Sequence, residues 1–193
     1  MLDSLVAQFG RQSALMETPS SNAVLPRWNE LAAEAAAQEI LPCCGSRAWA
    51  QGLAARRPFT AEERLFEASD AVWAGLAEDD WREAFDSHPR IGQQHSRTAT
   101  AESLAWSSEE QGAAMSSGSN QEAAKLALAE GNRQYEERFR RIFIVCAAGR
   151  SASEILAILN ARMQNDAATE MLEAAEQQRQ ITQLRLRRWL GVS

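Results

Sequence analysis

His88, Glu110 and Arg185 are the side chains of this 193-residue chain whose types and settings could do chemistry. Imidazole titrates near neutral pH and can give or take a proton. His88 follows Trp81, Ala84 and Phe85 at helical spacing, one turn beyond Phe85 on the same apolar face, and Pro89 stops the helix behind it. A histidine on an apolar face is more often a satisfied core residue than a catalyst. A helix end that opens into a Gly-containing polar loop, however, is where pockets form. Glu110 stands in Trp106-Ser107-Ser108-Glu109-Glu110-Gln111, where two registers are open. With Ser107 as N-cap, Glu110 is the capping-box partner and Trp106 the staple; with Ser108 as cap, Gln111 takes that role and Glu110 is free to enter a pocket. Either start would offer unpaired N–H groups to an anion. Arg185 lies one turn after Ile181 and is placed to reach inward, whereas Arg187 and Arg188 complement the negative end of the helix dipole.

Other chemistries find little support. There is a single lysine, Lys125, in the surface-helix setting Ala-Ala-Lys-Leu-Ala, so Schiff-base and pyridoxal phosphate chemistry are not expected. Cys43-Cys44 lacks zinc-ligand spacing, and His88 and His95, the only histidines, are not a helical i,i+4 pair. No metal is expected. Cys146 reads as a small buried hydrophobe and Arg150 as the start of a capping sequence. Three cysteines with one adjacent pair do not describe a disulfide framework, which points to a reducing compartment. A net charge of -6 argues against nucleic-acid partners. The longest apolar run, residues 142–148, is far short of the ~18 residues of a membrane span. Neither a secretory leader nor a peroxisomal address is expected, so the expected location is cytoplasmic.

The elements that must position these residues are helical. Residues 1–24, with the loop signal Thr-Pro-Ser-Ser-Asn, are expected to be a partly ordered arm, and 25–193 a single helical domain. A helical pattern from Trp28 is expected to break at Pro42. Cys43 to Ser46 turns into a short helix around Trp49 and Leu53. Thr60-Ala61-Glu62-Glu63 reads as a capping box, and Asp80 to Glu83 as a further helix start. Residues 92–107 read as a loop with a weak turn near Ala101–Leu104, and a helix begins at Ser107 or Ser108 and runs to a Ser/Gly/Asn break at 116–120. Leu128, Asn132, Tyr135, Phe139 and Ile142 form the stripe of the next helix. Residues 142–145 are expected to be an extended connector, because a lone strand has no partner. Ser151-Ala152-Ser153-Glu154 caps a helix through Met163, and the last helix spans about 166–190. The chain is an all-α, single-domain helical bundle by pattern.

An ordered set of strings adds to this reading: Cys43-Cys44-Gly45-Ser46-Arg47 with Trp49, Pro58-Phe59, Asp80-Trp81 with Ala84-Phe85, and His88-Pro89-Arg90-Ile91-Gly92. They are followed by Ser107-x-x-Glu110-Gln111, Asn132-x-x-Tyr135-x-x-x-Phe139, Phe143-Ile144-Val145-Cys146-Ala147, Gly149-Arg150-Ser151, and Ile181-Thr182-x-Leu184-Arg185-Leu186. Over roughly residues 40–190 the chain resembles the OHCU decarboxylase family, whose substrate is 2-oxo-4-hydroxy-4-carboxy-5-ureidoimidazoline. The resemblance implies an all-α homodimer that needs no metal or organic cofactor. It implies a small-molecule substrate converted to (S)-allantoin in urate degradation, after uricase and 5-hydroxyisourate hydrolase. It implies His88, Glu110 and Arg185 as catalytic residues. The implied substrate site is Pro89, the segment Ser107, Ser108, Glu109, Glu110 and Gln111, and the segment Phe143, Ile144, Val145, Cys146 and Ala147. The alternative is a helical binding module of the same fold that has lost the chemistry.

Overall fold

The computed structural model describes residues 23–90, 100–115 and 121–192, apart from the side chains of residues 111, 113–115, 121, 122, 124 and 125. Most of the expected arm, His95 with the rest of 91–99, the expected break at 116–120 and the side chains of Gln111 and Lys125 lie outside it. The described residues form nine helices and no strand: α1 (Val24–Glu30), α2 (Ala33–Cys44), α3 (Arg47–Ala54), α4 (Glu62–Ala74), α5 (Glu78–Asp86), α6 (Ala101–Met115), α7 (Gln121–Phe139), α8 (Ala152–Arg162) and α9 (Ala167–Leu190). The expected all-α bundle is what the chain forms.

Helix α9 organises the whole. At 24 residues it is about 36 Å long, and it packs against α1, α2, α4 and α5. Its buried face presents Gln178, Ile181, Thr182, Arg185 and Leu186, a row of 3- and 4-residue steps along one side. Two apolar clusters result. The larger joins α1–α5 and α9 with Trp106, and a smaller one joins Leu128, Tyr135 and Phe139 of α7 to Ile155 and Leu159 of α8. Between α7 and α8 the chain runs without regular structure through 140–151, as the lone apolar run requires. Its residues alternate. Phe143, Val145 and Ala147 join the smaller cluster, and Ile144 and Cys146 the larger. The connector is thus a partition buried on both sides.

Several local expectations are corrected. Pro42 does not end α2 but sits inside it; the amide it lacks would be satisfied only within the helix, and α2 runs just two residues further. The real stop is Gly45, at φ 88°, where glycine alone avoids the left-handed penalty. Thr60 does not cap α4, whose N-cap position is Ala61 with no side-chain cap. Helix α5 starts at Glu78, ahead of the expected Asp80, and the Asp80 carboxylate accepts the Ala77 N–H at 3.2 Å. Residues 101–107 are not a loop, and neither Ser107 nor Ser108 is a cap: α6 begins at Ala101, with Thr100 Oγ1 accepting the Ser103 N–H at 3.1 Å. The boxed start at Ser151 does form, Ser151 Oγ accepting from Glu154 N and the Glu154 carboxylate accepting from Ser151 N.

Candidate functional site

His88 stands just past the end of α5, its N–H bonded to Phe85 O at 3.0 Å. Its height is fixed by a close approach from α2. A Cβ on Gly45 would lie 2.5 Å from Ser87 Cβ and 2.1 Å from Ser87 Oγ, so the cap of α2 and the end of α5 meet at a distance only glycine permits. Imidazole Nε2 is buried with no hydrogen-bond partner. Burial, and then the positive charge of Arg185, push the pKa of His88 down to about 3, while the Gln178 carboxamide acts the other way. The imidazole is therefore neutral at physiological pH.

Arg185 comes from α9 and is 1% exposed. Its Nε donates to Glu110 Oε1 at 3.2 Å and its Nη2 to Glu110 Oε2 at 3.1 Å. Nη2 also reaches Ser107 Oγ at 2.8 Å, while Nη1 reaches Ser103 Oγ at 3.0 Å and Pro42 O at 3.4 Å. A guanidinium has five N–H groups, and these five acceptors use all of them. Ser103, Ser107 and Glu110, spaced four and three apart, lie on one face of α6. That face is drawn in by Arg185, which offsets the modest helix propensity of the two serines.

A pocket of about 370 Å³, its mouth included, lies between these groups and is lined by His88, Pro89, Ser107, Glu110, Phe143, Ile144, Val145, Ala147 and Ile181. The sequence-predicted His88, Pro89, Ser107, Glu110, Phe143, Ile144, Val145 and Ala147 thus meet at one cavity. Arg185 stands behind Glu110. Cys146 is buried on the other face of the connector, its thiol pKa raised by burial. Ser108 and Glu109 are exposed on the outer side of α6, where Glu109 pairs with Arg188; a helix cannot turn five consecutive side chains to one pocket.

The connector wall is held from behind. Arg162 Nη1 donates to Ile144 O at 2.7 Å, and its Nε and Nη2 reach Glu170 Oε1 at 2.9 and 2.5 Å. Tyr135 Oη also donates to Glu170 Oε1. Gln177 Oε1 accepts the Cys146 N–H at 3.0 Å. Among the described residues, the N–H groups of Ile144 and Val145 meet no acceptor, and in an extended segment they point to opposite sides, Ile144 N–H toward the side tied by Arg162 and Gln177. Sequence reasoning missed Ile181 as lining and Ser103, Gln177, Gln178 and Arg162 as supports. A signal existed for two of them: Ser103 precedes Ser107 by four residues, and Gln178 precedes Ile181 by three.

Residues 29–187 match the OHCU decarboxylase family. The chain is 35% identical over 156 residues to the uric acid degradation bifunctional protein TTL of Arabidopsis thaliana, an alignment covering 81% of this chain and 48% of that one. The chain therefore spans about half the length of that relative. It is similar to a crystal structure of OHCU decarboxylase in the presence of (S)-allantoin, with a TM-score of 0.68 and 31% identity over 79% of this chain and 97% of the other. The fold is shared with (S)-allantoin synthase at a TM-score of 0.61 and 17% identity, over 86% of this chain and 53% of the other.

Proposed function

The chain belongs to the OHCU decarboxylase family, and from that premise we propose that it decarboxylates 2-oxo-4-hydroxy-4-carboxy-5-ureidoimidazoline to (S)-allantoin without a cofactor. The observation that carries the proposal is the convergence of a neutral His88, the carboxylate of Glu110 and the 143–147 connector on one small pocket.

In this substrate, C4 bears the hydroxyl and the carboxylate, and the remaining ring double bond is C5=N1. When the bond from C4 to the carboxylate breaks, its electron pair moves into C4=C5 as the C5=N1 pair goes to N1, which takes a proton. The enol so formed then loses its hydroxyl proton and gains one at C5, which leaves the C4 ketone of allantoin. His88 is suited to accept the hydroxyl proton, since the negative charge of the bound substrate opposes the burial and the Arg185 charge that lower its pKa. The backbone N–H of Val145, on the edge opposite the tied Ile144 carbonyl and Cys146 N–H, is suited to meet the charge that develops on the ring, needing no reorganisation.

The Arg185–Glu110 pair shapes recognition. Each Glu110 oxygen accepts one N–H from Arg185, and the remaining lone pairs are available to the ureido N–H groups of the substrate. Arg185 has no donor left for the substrate carboxylate. The carboxylate instead meets apolar wall from Phe143, Val145 and Ile181, a setting that favours neutral carbon dioxide over the anion. Protonation of C5 from one walled side gives one enantiomer.

The same reading carries a homodimer, a cytoplasmic location, and uricase and 5-hydroxyisourate hydrolase as the preceding steps. Light scattering on the purified protein tests the dimer. For the activity, substrate generated from urate by those two enzymes should lose its ultraviolet absorbance many-fold faster when the protein is added. Decay at the spontaneous rate, from a folded sample, would leave the silent binding module as the better reading.

A further inference from the structure

Gln178 is a residue to which the reaction just described gives no part, and its hydrogen bonds are asymmetric. Its Nε2 donates to Cys44 O at 3.2 Å and to Thr182 Oγ1 at 3.3 Å, and the Thr182 hydroxyl in turn donates to Gln178 O at 3.0 Å. A flipped amide would set its oxygen against the Cys44 carbonyl, so the orientation is fixed by its partners. Gln178 Oε1 is then left buried with no donor. The position of that oxygen is fixed as well. Gln178 is tied to Cys44, the next residue Gly45 abuts Ser87, and His88 follows; Ile181, one turn along α9, shares the pocket wall with His88. The Nε2 of His88 is the complementary orphan, buried and without an acceptor.

We infer that Gln178 is a positioning residue that fixes the tautomer of His88: its oxygen faces Nε2 and keeps the proton there, which leaves Nδ1 as the bare, proton-accepting nitrogen toward the pocket. A neutral imidazole has one N–H and one lone pair, and which nitrogen holds which is set by the neighbour of the other. A buried amide oxygen without a donor is costly, and the Nε2–H tautomer satisfies it. The other charged groups near the imidazole are Arg185 on α9 and, across the pocket, Glu110 on α6, paired with each other. Neither supplies an acceptor at Nε2. This inference rests on His88 being the proton acceptor of the decarboxylase reading.

The test is nitrogen-15 NMR of the full chain labelled at histidine, with two-bond couplings to the ring carbons' protons reporting the tautomer. His95→Gln assigns the two rings. His88 is expected as the Nε2–H form near pH 7. Gln178→Leu is expected to shift the ring toward Nδ1–H and to lower kcat roughly tenfold or more with little change in KM. Gln178→Glu, a carboxylate in the same place, is expected to move the His88 titration midpoint up by a pH unit or more, which a merely structural role would not do. An Nδ1–H ring in the unaltered protein, or a Gln178→Leu protein that keeps both its tautomer and its kcat, would overturn the inference. The tautomer reading on the unaltered protein needs no variant to fold. An Nε2–H ring in a protein inactive on the substrate would instead count against the decarboxylase reading alone.

Discussion

Arg185 of α9 and Glu110 of α6, 75 residues apart in the chain, meet through two parallel N–H···O bonds of 3.2 and 3.1 Å. The pair is buried on the arginine side and opens to the pocket on the glutamate side, with side chains 1% and 22% exposed. It therefore joins fold and pocket in one contact, because the carboxylate that lines the pocket is held by a cation that does not line it.

Arg185→Met should lower the unfolding free energy by roughly 3 kcal/mol, the lower end for a broken buried pair, since Glu110 keeps some access to water. Urea denaturation measures this. The double variant Arg185→Met, Glu110→Gln should recover part of the loss, whereas Arg185→Lys should not restore the fork-shaped contact. Additive losses in the double variant would mean the two side chains act independently.

The depressed pKa of His88, about 3, has a consequence for acid stability. Below pH 6.5 the unfolded imidazole takes up a proton, while the folded one stays neutral down to about pH 3, so acid favours unfolding by at most about 1.4 kcal/mol per pH unit. Above pH 6.5 the group contributes no slope. His88→Asn should therefore gain stability relative to the unaltered protein as pH falls from 6.5 to 4.5, measured by denaturation at each pH. Parallel curves for the two proteins would show that His88 titrates normally.

Gly45→Ala should destabilise the protein by about 1–3 kcal/mol, because it combines a positive φ with a Cβ pressed on Ser87. Thermal unfolding reads the loss. Since the displaced residue precedes His88, kcat should fall as well, in samples kept well below the melting temperature. Retained stability would mean the approach of α2 to α5 is looser than 2.5 Å implies.

Much of this was legible in the sequence, for reasons that differ by element. The place of His88 followed from helical period and a proline, both local. The cap at Ser151 followed because its partner is three residues away. The connector followed from an apolar run too short and too solitary for a sheet. The start of α6 did not follow, because Ser107 and Ser108 with their acidic neighbours read locally as a better cap than Thr100. What keeps Ser103 and Ser107 helical is Arg185, a tertiary partner. The same distance hid the Arg185–Glu110 pair, and a contiguous motif hid that Ser108 and Glu109 point away from Glu110.

Arg162→Met should cost about 3–5 kcal/mol, since it strands the Glu170 carboxylate, fully buried, without its cation. It also frees the Ile144 carbonyl, so KM should rise in whatever fraction stays folded. Tyr135→Phe removes one bond to the same carboxylate and should cost only about 1–2 kcal/mol. Comparable losses from both would contradict the role of Arg162 as the counter-charge.

The most direct test of the central claim is the handedness of the product. Urate is passed through uricase and 5-hydroxyisourate hydrolase in a circular-dichroism cell, with and without this protein. Spontaneous decay yields racemic allantoin and no lasting signal. Rapid growth of the (S)-allantoin signal on adding the protein, lost with folded His88→Asn, is the predicted result. A racemic product at the spontaneous rate, or an undiminished signal from His88→Asn, would contradict the account.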